Sequence, residues 1–241
     1  MRETWIYKNR YFVFWTVVVV AVVGIGVYFA TNNGSSSEAT PSIQDMGPNF
    51  RITFWNTEES NVENSFSNHV KEAINFWQER LVEDETINID VRSVRLKTGT
   101  TLAYAMMNDS SNIRSGGELT INLNASAYSW TDVIKHEIGH ILGIGVADNW
   151  RNAVFGSNRV YYLDSSMFPE TYKIYQDDYN GQEDHIPLGD SSHHFDEAVF
   201  DTELMTPYSD EGQRQPITDL TMTALKVIGW NVDMSKAEEK N

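Results

Sequence analysis

The chain has 241 residues, 22% of them charged and 41% hydrophobic, a balance that fits a globular protein and excludes a disordered or fibrous one. Eighteen Lys and Arg against 34 Asp and Glu leave a net charge of −16, so the basic footprint that nucleic acid requires is missing. No cysteine occurs, which excludes a disulfide scaffold, a thiolate metal site and a cysteine nucleophile.

Residues 1–10 carry Arg2, Lys8 and Arg10, and residues 11–30 then run without a charge. As a helix at about 1.5 Å per residue, that run spans about 30 Å, the hydrocarbon thickness of a bilayer. Trp5, Tyr7, Tyr11 and Phe12 flank one end and Tyr28 and Phe29 the other, as interfacial aromatic belts do. The basic residues put the 1–10 tail in the cytoplasm and the remainder outside the cell. Tyr28-Phe29-Ala30 offers no small residue at the −3 position of a cleavage site, so 11–30 reads as an uncleaved, single-pass signal anchor in the cell membrane. Residues 31–48 are small, polar and broken by Pro, the composition of a flexible stalk, and the folded domain is expected over 49–241.

Within that domain the RITFW alternation from Arg51 predicts a strand. Phe66, Val70, Ala73, Ile74, Trp77 and Leu81 recur at spacings of three and four, which predicts an amphipathic helix over 62–82. Ile87, Ile89 and Val91 predict a second strand, and Leu119, Ile121 and Leu123, after the Gly116-Gly117 turn, a third. A helix is expected over 131–143, stopped by Gly143 and Gly145. Residues 147–192 show no strong period and read as a functional insertion with short elements of its own. A last helix begins at Thr218 and closes at Gly229. This order predicts an α+β domain with its helices packed on one sheet.

The helix over 131–143 carries His136-Glu137-Ile138-Gly139-His140. Residues four apart share a helical face, so both imidazoles reach one ion, and neutral imidazole is a favoured zinc ligand. Zinc lowers the pKa of a water it binds toward about 7, and Glu137, beside the first ligand, can take that water's proton. Catalytic zinc takes three protein ligands, so a third is sought. His194, the adjacent His193 and the more distant His185 are candidates, whereas His69, on the early helix, reads as solvent-facing. Asp177, Asp178, Glu183, Asp184 and Asp190 crowd the insertion. Calcium takes oxygen ligands and is a further candidate cofactor there, but no EF-hand spacing is present and a solvated acidic loop is the simpler account.

The run H-E-I-G-H-I-L-G from His136 to Gly143 resembles the extended signature of the metzincin zinc proteases, except that Val146 stands where their third histidine falls. From about Phe50 to Val232, with gaps, the chain resembles the leishmanolysin-like branch of that clan. In that branch a long insertion precedes a third histidine with a following aromatic residue, then an E-L-M run and a closing L-G-Y/W. Here these are His194-Phe195-Asp196-Glu197, Glu203-Leu204-Met205-Thr206 and Ile228-Gly229-Trp230. The resemblance implies a twisted mixed sheet with an active-site helix and a C-terminal helix. It makes His136, His140 and His194 the ligands of one catalytic zinc ion, Glu137 the general base, and Met205 an apolar floor beneath the metal. Tyr208 would be an oxyanion donor at an altered spacing. The implied activity is hydrolysis of peptide or protein substrates by a membrane-anchored zinc endopeptidase. The missing cysteines depart from that family, whose members often carry disulfides and a cysteine-bearing propeptide. Two other readings share the metal site: a latent or inactive zinc-binding surface protein acting in adhesion or assembly, and a zinc amidase acting on cell-wall material.

Overall fold

A computed structural model describes residues 40–57, 60–97, 100–208 and 213–240. The expected cytoplasmic tail, the membrane anchor and residues 31–39 of the stalk lie outside the described residues. Among the described residues, no helix is long and apolar enough to cross a membrane.

Alternation along Phe50–Asn56 buries Phe50, Ile52 and Phe54 and exposes Arg51, which makes it a strand with one apolar face, β2. The strand before it, β1 (Thr40–Asp45), pairs antiparallel with β2 from Thr40↔Asn56 to Asp45↔Arg51. The stalk expected over 31–48 is therefore corrected: its last part is an edge strand. Its Pro-Ser-Ile-Gln composition looked unstructured because an edge strand buries little on either face, and Ile43 is 65% exposed.

Helix α1 (Val62–Gln78) buries Phe66, Val70, Ala73, Ile74 and Trp77. It stops short of the predicted 82 because Leu81 leaves the helix to bridge Val232, which buries it without helical geometry. Strand β3 (Ile87–Val94) runs parallel to β2, and β5 (Gly117–Asn122) runs parallel to β3. Between them lies β4 (Ala103–Met107), a strand the sequence reading missed. Its buried positions are Ala103 and Ala105, too small to raise an alternation signal. It pairs antiparallel with β5 as the far edge of a mixed sheet ordered β1-β2-β3-β5-β4.

One face of that sheet is apolar and is covered by α1 and by α2 (Trp130–Ile141), which also pack on each other. Phe66 meets Trp130 edge-on at 5.1 Å, and the Trp77 indole N–H donates to the Lys135 carbonyl at 3.0 Å. The α+β class with a mixed sheet is thus observed.

The insertion folds as α3 (Asp148–Ala153), the hairpin β6 (Val154–Ser157) and β7 (Val160–Leu163), α4 (Pro169–Asp178) and β8 (Ile186–Leu188), with β6-β7-β8 forming a second sheet. A single turn of helix, α5 (Glu197–Phe200), follows. The last helix, α6 (Asp219–Ile228), is capped by the Thr218 side chain and ended by Gly229 at φ 124°, as expected from sequence. Trp230 then donates its indole N–H to the Leu142 carbonyl at 2.6 Å, satisfying an acceptor at the open end of α2.

Candidate metal centre

Helix α2 starts at Ser129, whose hydroxyl accepts from Asp132 N–H, and it buries His136, Glu137 and His140 together. The Nε2 atoms of His136, His140 and His194 form a triangle with sides of 3.0, 3.1 and 3.2 Å. An ion about 2.0–2.1 Å from each nitrogen would see them at angles of roughly 90–105°, close enough to tetrahedral to leave a fourth position. Among the described residues these three histidines are the group whose ligand atoms converge closely enough to hold a metal ion.

The second nitrogen of each ring decides where the lone pairs point. His136 Nδ1–H donates to the Leu204 carbonyl at 2.7 Å and His140 Nδ1–H to the Ile144 carbonyl at 2.8 Å. His194 Nδ1 lies 3.2 Å from the Ser191 hydroxyl. With protons on Nδ1, the neutral rings aim bare Nε2 lone pairs at one another. Protonation does not relieve this. Burial pushes His136 down to about 4, and burial joined by the neighbouring imidazoles pushes His140 and His194 well below the usual histidine range. A cation at the centre would supply the missing partner for all three.

Glu137 is fully buried, and neither carboxylate oxygen has a hydrogen-bond partner. Burial raises its pKa well above the ordinary value of 4.5. On an α-helix it stands about 100° around the axis from His136 and about 60° from His140, on the flank of the histidine face. An orphaned carboxylate beside three converging acceptors fits a cation and a water molecule held between them.

Tertiary structure brings the third histidine in. Beneath His194, Phe195 packs against Trp150 and Phe200, each at 5.4 Å, and Trp150 also meets Phe168 at 5.8 Å. The Trp150 indole N–H donates to the Ser192 carbonyl at 3.1 Å. The insertion thus extends the hydrophobic core beneath His194 and holds it in place. Replacing Trp150 by alanine is expected to cost about 3–5 kcal/mol. Chemical denaturation of the metal-free chain would measure the loss.

The rival ligands are directed elsewhere. His193 donates Nδ1–H to the Gly145 carbonyl at 2.9 Å. His185 Nδ1 faces Ser165, with its ring edge-on to Phe155 at 4.7 Å. His69 is half-buried rather than solvent-facing, because its Nδ1 bonds the Thr131 hydroxyl at 2.9 Å and ties α1 to the start of α2. Tyr208 is 37% exposed. The acidic residues of the insertion do not converge as a calcium cage: Asp190 pairs with Arg159 and Asp177 with Lys173.

Met205 is buried, and a Cβ placed on Gly139 would lie 2.5 Å from its sulfur, so the methionine packs against α2 at Gly139, on the flank next to His136. Gly143 (φ 107°) and Gly145 (φ 76°) carry the turn that returns the Ile144 carbonyl to His140. At Gly145 a Cβ would stand 2.2 Å from the His193 backbone oxygen, which cannot yield. Gly145→Ala is expected to destabilise by about 2–4 kcal/mol, from left-handed strain plus overpacking. A urea titration of the metal-free chain would show it.

Sequence reasoning found the histidines and Glu137 but not the carbonyls of Leu204 and Ile144 or the Ser191 hydroxyl. Backbone acceptors leave no residue-type signal; the Gly143–Gly145 pair was the only hint of one. Compared with protein-family models, curated proteins and solved structures, the chain matches none, so what the centre does has to be read from its own residues.

Proposed function

We propose that the chain is a zinc-dependent endopeptidase of the leishmanolysin-like kind, held at the cell surface by the apolar segment 11–30. The observation that carries the reading is the buried Nε2 triangle with an unpartnered carboxylate on the same helix. An all-imidazole site suits zinc over calcium or magnesium, which prefer oxygen.

Bound zinc would supply Lewis acidity toward both a water molecule and the substrate carbonyl. Glu137 takes the proton of the attacking water as the carbon–oxygen bond forms, then delivers it to the amine nitrogen as the carbon–nitrogen bond breaks. Burial raises its pKa in the metal-free chain, and a cation bound beside it would hold the carboxylate in the charged, proton-accepting form. His136, His140 and His194, held by Leu204, Ile144 and Ser191, keep their donor atoms fixed through the cycle. Among the described residues the outer edge of β4, which packs on α2, has no strand partner, so an extended peptide can align there by strand addition.

A second reading is favoured by one observation. The three histidines and Glu137 are each at most 2% exposed, which fits a chain that holds metal in a closed, latent state.

The full chain, purified in mild detergent, should contain one zinc ion by elemental analysis. It should cut a mixed peptide library by mass spectrometry, with the cuts abolished by a chelator and restored by zinc. Zinc without cleavage selects the latent reading, and no bound metal removes both.

A further inference from the structure

Glu203 is 1% exposed, and it is not a candidate ligand. Its Oε2 accepts from the Thr218 hydroxyl at 2.5 Å and from the Thr218 N–H at 3.2 Å, and its Oε1 accepts from the Thr221 hydroxyl at 2.6 Å. Both oxygens are thus consumed by the first turn of α6. Burial still pushes the carboxyl up to about 7 against those hydrogen bonds, so keeping it inside is costly and calls for a role.

Its own backbone begins the turn on which the metal centre rests. The Glu203 carbonyl accepts from Thr206 N–H at 3.1 Å and from the Thr206 hydroxyl at 2.8 Å, which closes the turn. Inside it, Leu204 N–H donates to Pro216 at 2.8 Å while the Leu204 carbonyl takes the His136 proton. The Met205 carbonyl accepts from Phe195 N–H at 3.1 Å, one residue beyond His194, and the Met205 sulfur lies against Gly139. This four-residue turn therefore carries the ring support of His136 and also meets the backbone next to His194 and the helix next to His140.

We infer that Glu203 is the positioning residue of the metal centre: by clamping the 203–206 turn to the N-terminus of α6, it sets the Leu204 carbonyl and with it the orientation of the His136 ring. The inference rests on the metal-binding half of the proposed function and concerns metal affinity and coordination, not turnover.

The test uses the full chain in detergent, with zinc affinity measured by chelator competition and coordination read from the absorption spectrum of the cobalt-loaded protein. Glu203→Ala is expected to weaken zinc by about 10–100-fold and to shift the cobalt spectrum. Glu203→Gln should recover most of both, since its amide oxygen can accept from Thr218 while its NH2 donates to the Thr221 hydroxyl. Ile52→Ala, a core truncation in β2, should lower stability and leave affinity and spectrum as in the parent. If Glu203→Ala does not fold, Thr221→Val removes the one hydroxyl on Oε1 and should weaken zinc by about 3–10-fold. A folded Glu203→Ala (or, in its place, Thr221→Val) with parental affinity and spectrum would overturn the inference, as would an equal shift in Ile52→Ala. A parent that binds no zinc would instead overturn the proposed function itself.

Discussion

Replacing Glu137 by alanine is expected to leave one zinc ion bound and to lower peptide hydrolysis by about 10²–10⁴-fold, the range set by loss of a general base. The zinc would stay because the three imidazoles proposed to hold it have their Nδ1 supports on Leu204, Ile144 and Ser191, none of which the substitution touches. A glutamine at the same position separates charge from shape, and its effect on the metal-free chain depends on pH. The folded pKa of Glu137 lies well above its ordinary value of 4.5. Its contribution to stability is therefore fully present below that value and is lost as pH rises through the folded pKa. The three buried histidines work in the opposite direction. Their folded pKa values lie below the ordinary 6.5, so their contribution is lost as pH falls from there, toward about 4 for His136. Subtracting the parent from Glu137→Gln cancels the histidines. The difference in melting temperature, with chelator present, should grow in favour of glutamine as pH rises above 4.5. A difference that stays flat with pH would mean that Glu137 is not held in the dry, unpartnered state described.

The second large effect is expected at His194. Removing one of three imidazoles should weaken zinc by about 10²–10⁴-fold, taking the binding free energy as shared among the ligands. His193→Ala should stay within about threefold, because that ring is turned to the Gly145 carbonyl. Chelator competition on the two variants gives the ranking directly, and the reverse order would transfer the third ligand to His193.

Much of the fold was legible because its signals are short-range. The spacing of Phe66, Val70, Ile74 and Trp77 is a property of one helix, and the alternation of Phe50, Ile52 and Phe54 is a property of one strand. Thr218 and Gly229 marked the ends of α6 because capping depends on the residue type at the terminus itself. Where an element's role depended on a distant neighbour, those signals misled. Leu81 continued the helical period but is buried by Val232, and Thr40–Asp45 looked like linker but is completed by β2.

The candidate site divides along the same line. His136, Glu137 and His140 are one turn of a helix, so their shared face follows from the 3.6-residue period and could be read directly from sequence. His194 lies 58 residues from His136, so no helical period links them, and only the family resemblance, through the aromatic Phe195 that follows, favoured it over His193. That choice is made by the aromatic packing of Trp150, Phe168 and Phe195, which turns one ring inward and leaves the other on Gly145. The Nδ1 acceptors of His136 and His140 are backbone carbonyls brought close by loop closure, and the Glu203 carboxylate finds its donors only because α6 returns to meet it. The sequence by itself determined the chemistry available, namely two imidazoles and a carboxylate on one helical face. The tertiary structure decided that the expected third donor, His194, converges on them while His193 turns away, because convergence of groups far apart along the chain is set by packing and not by period.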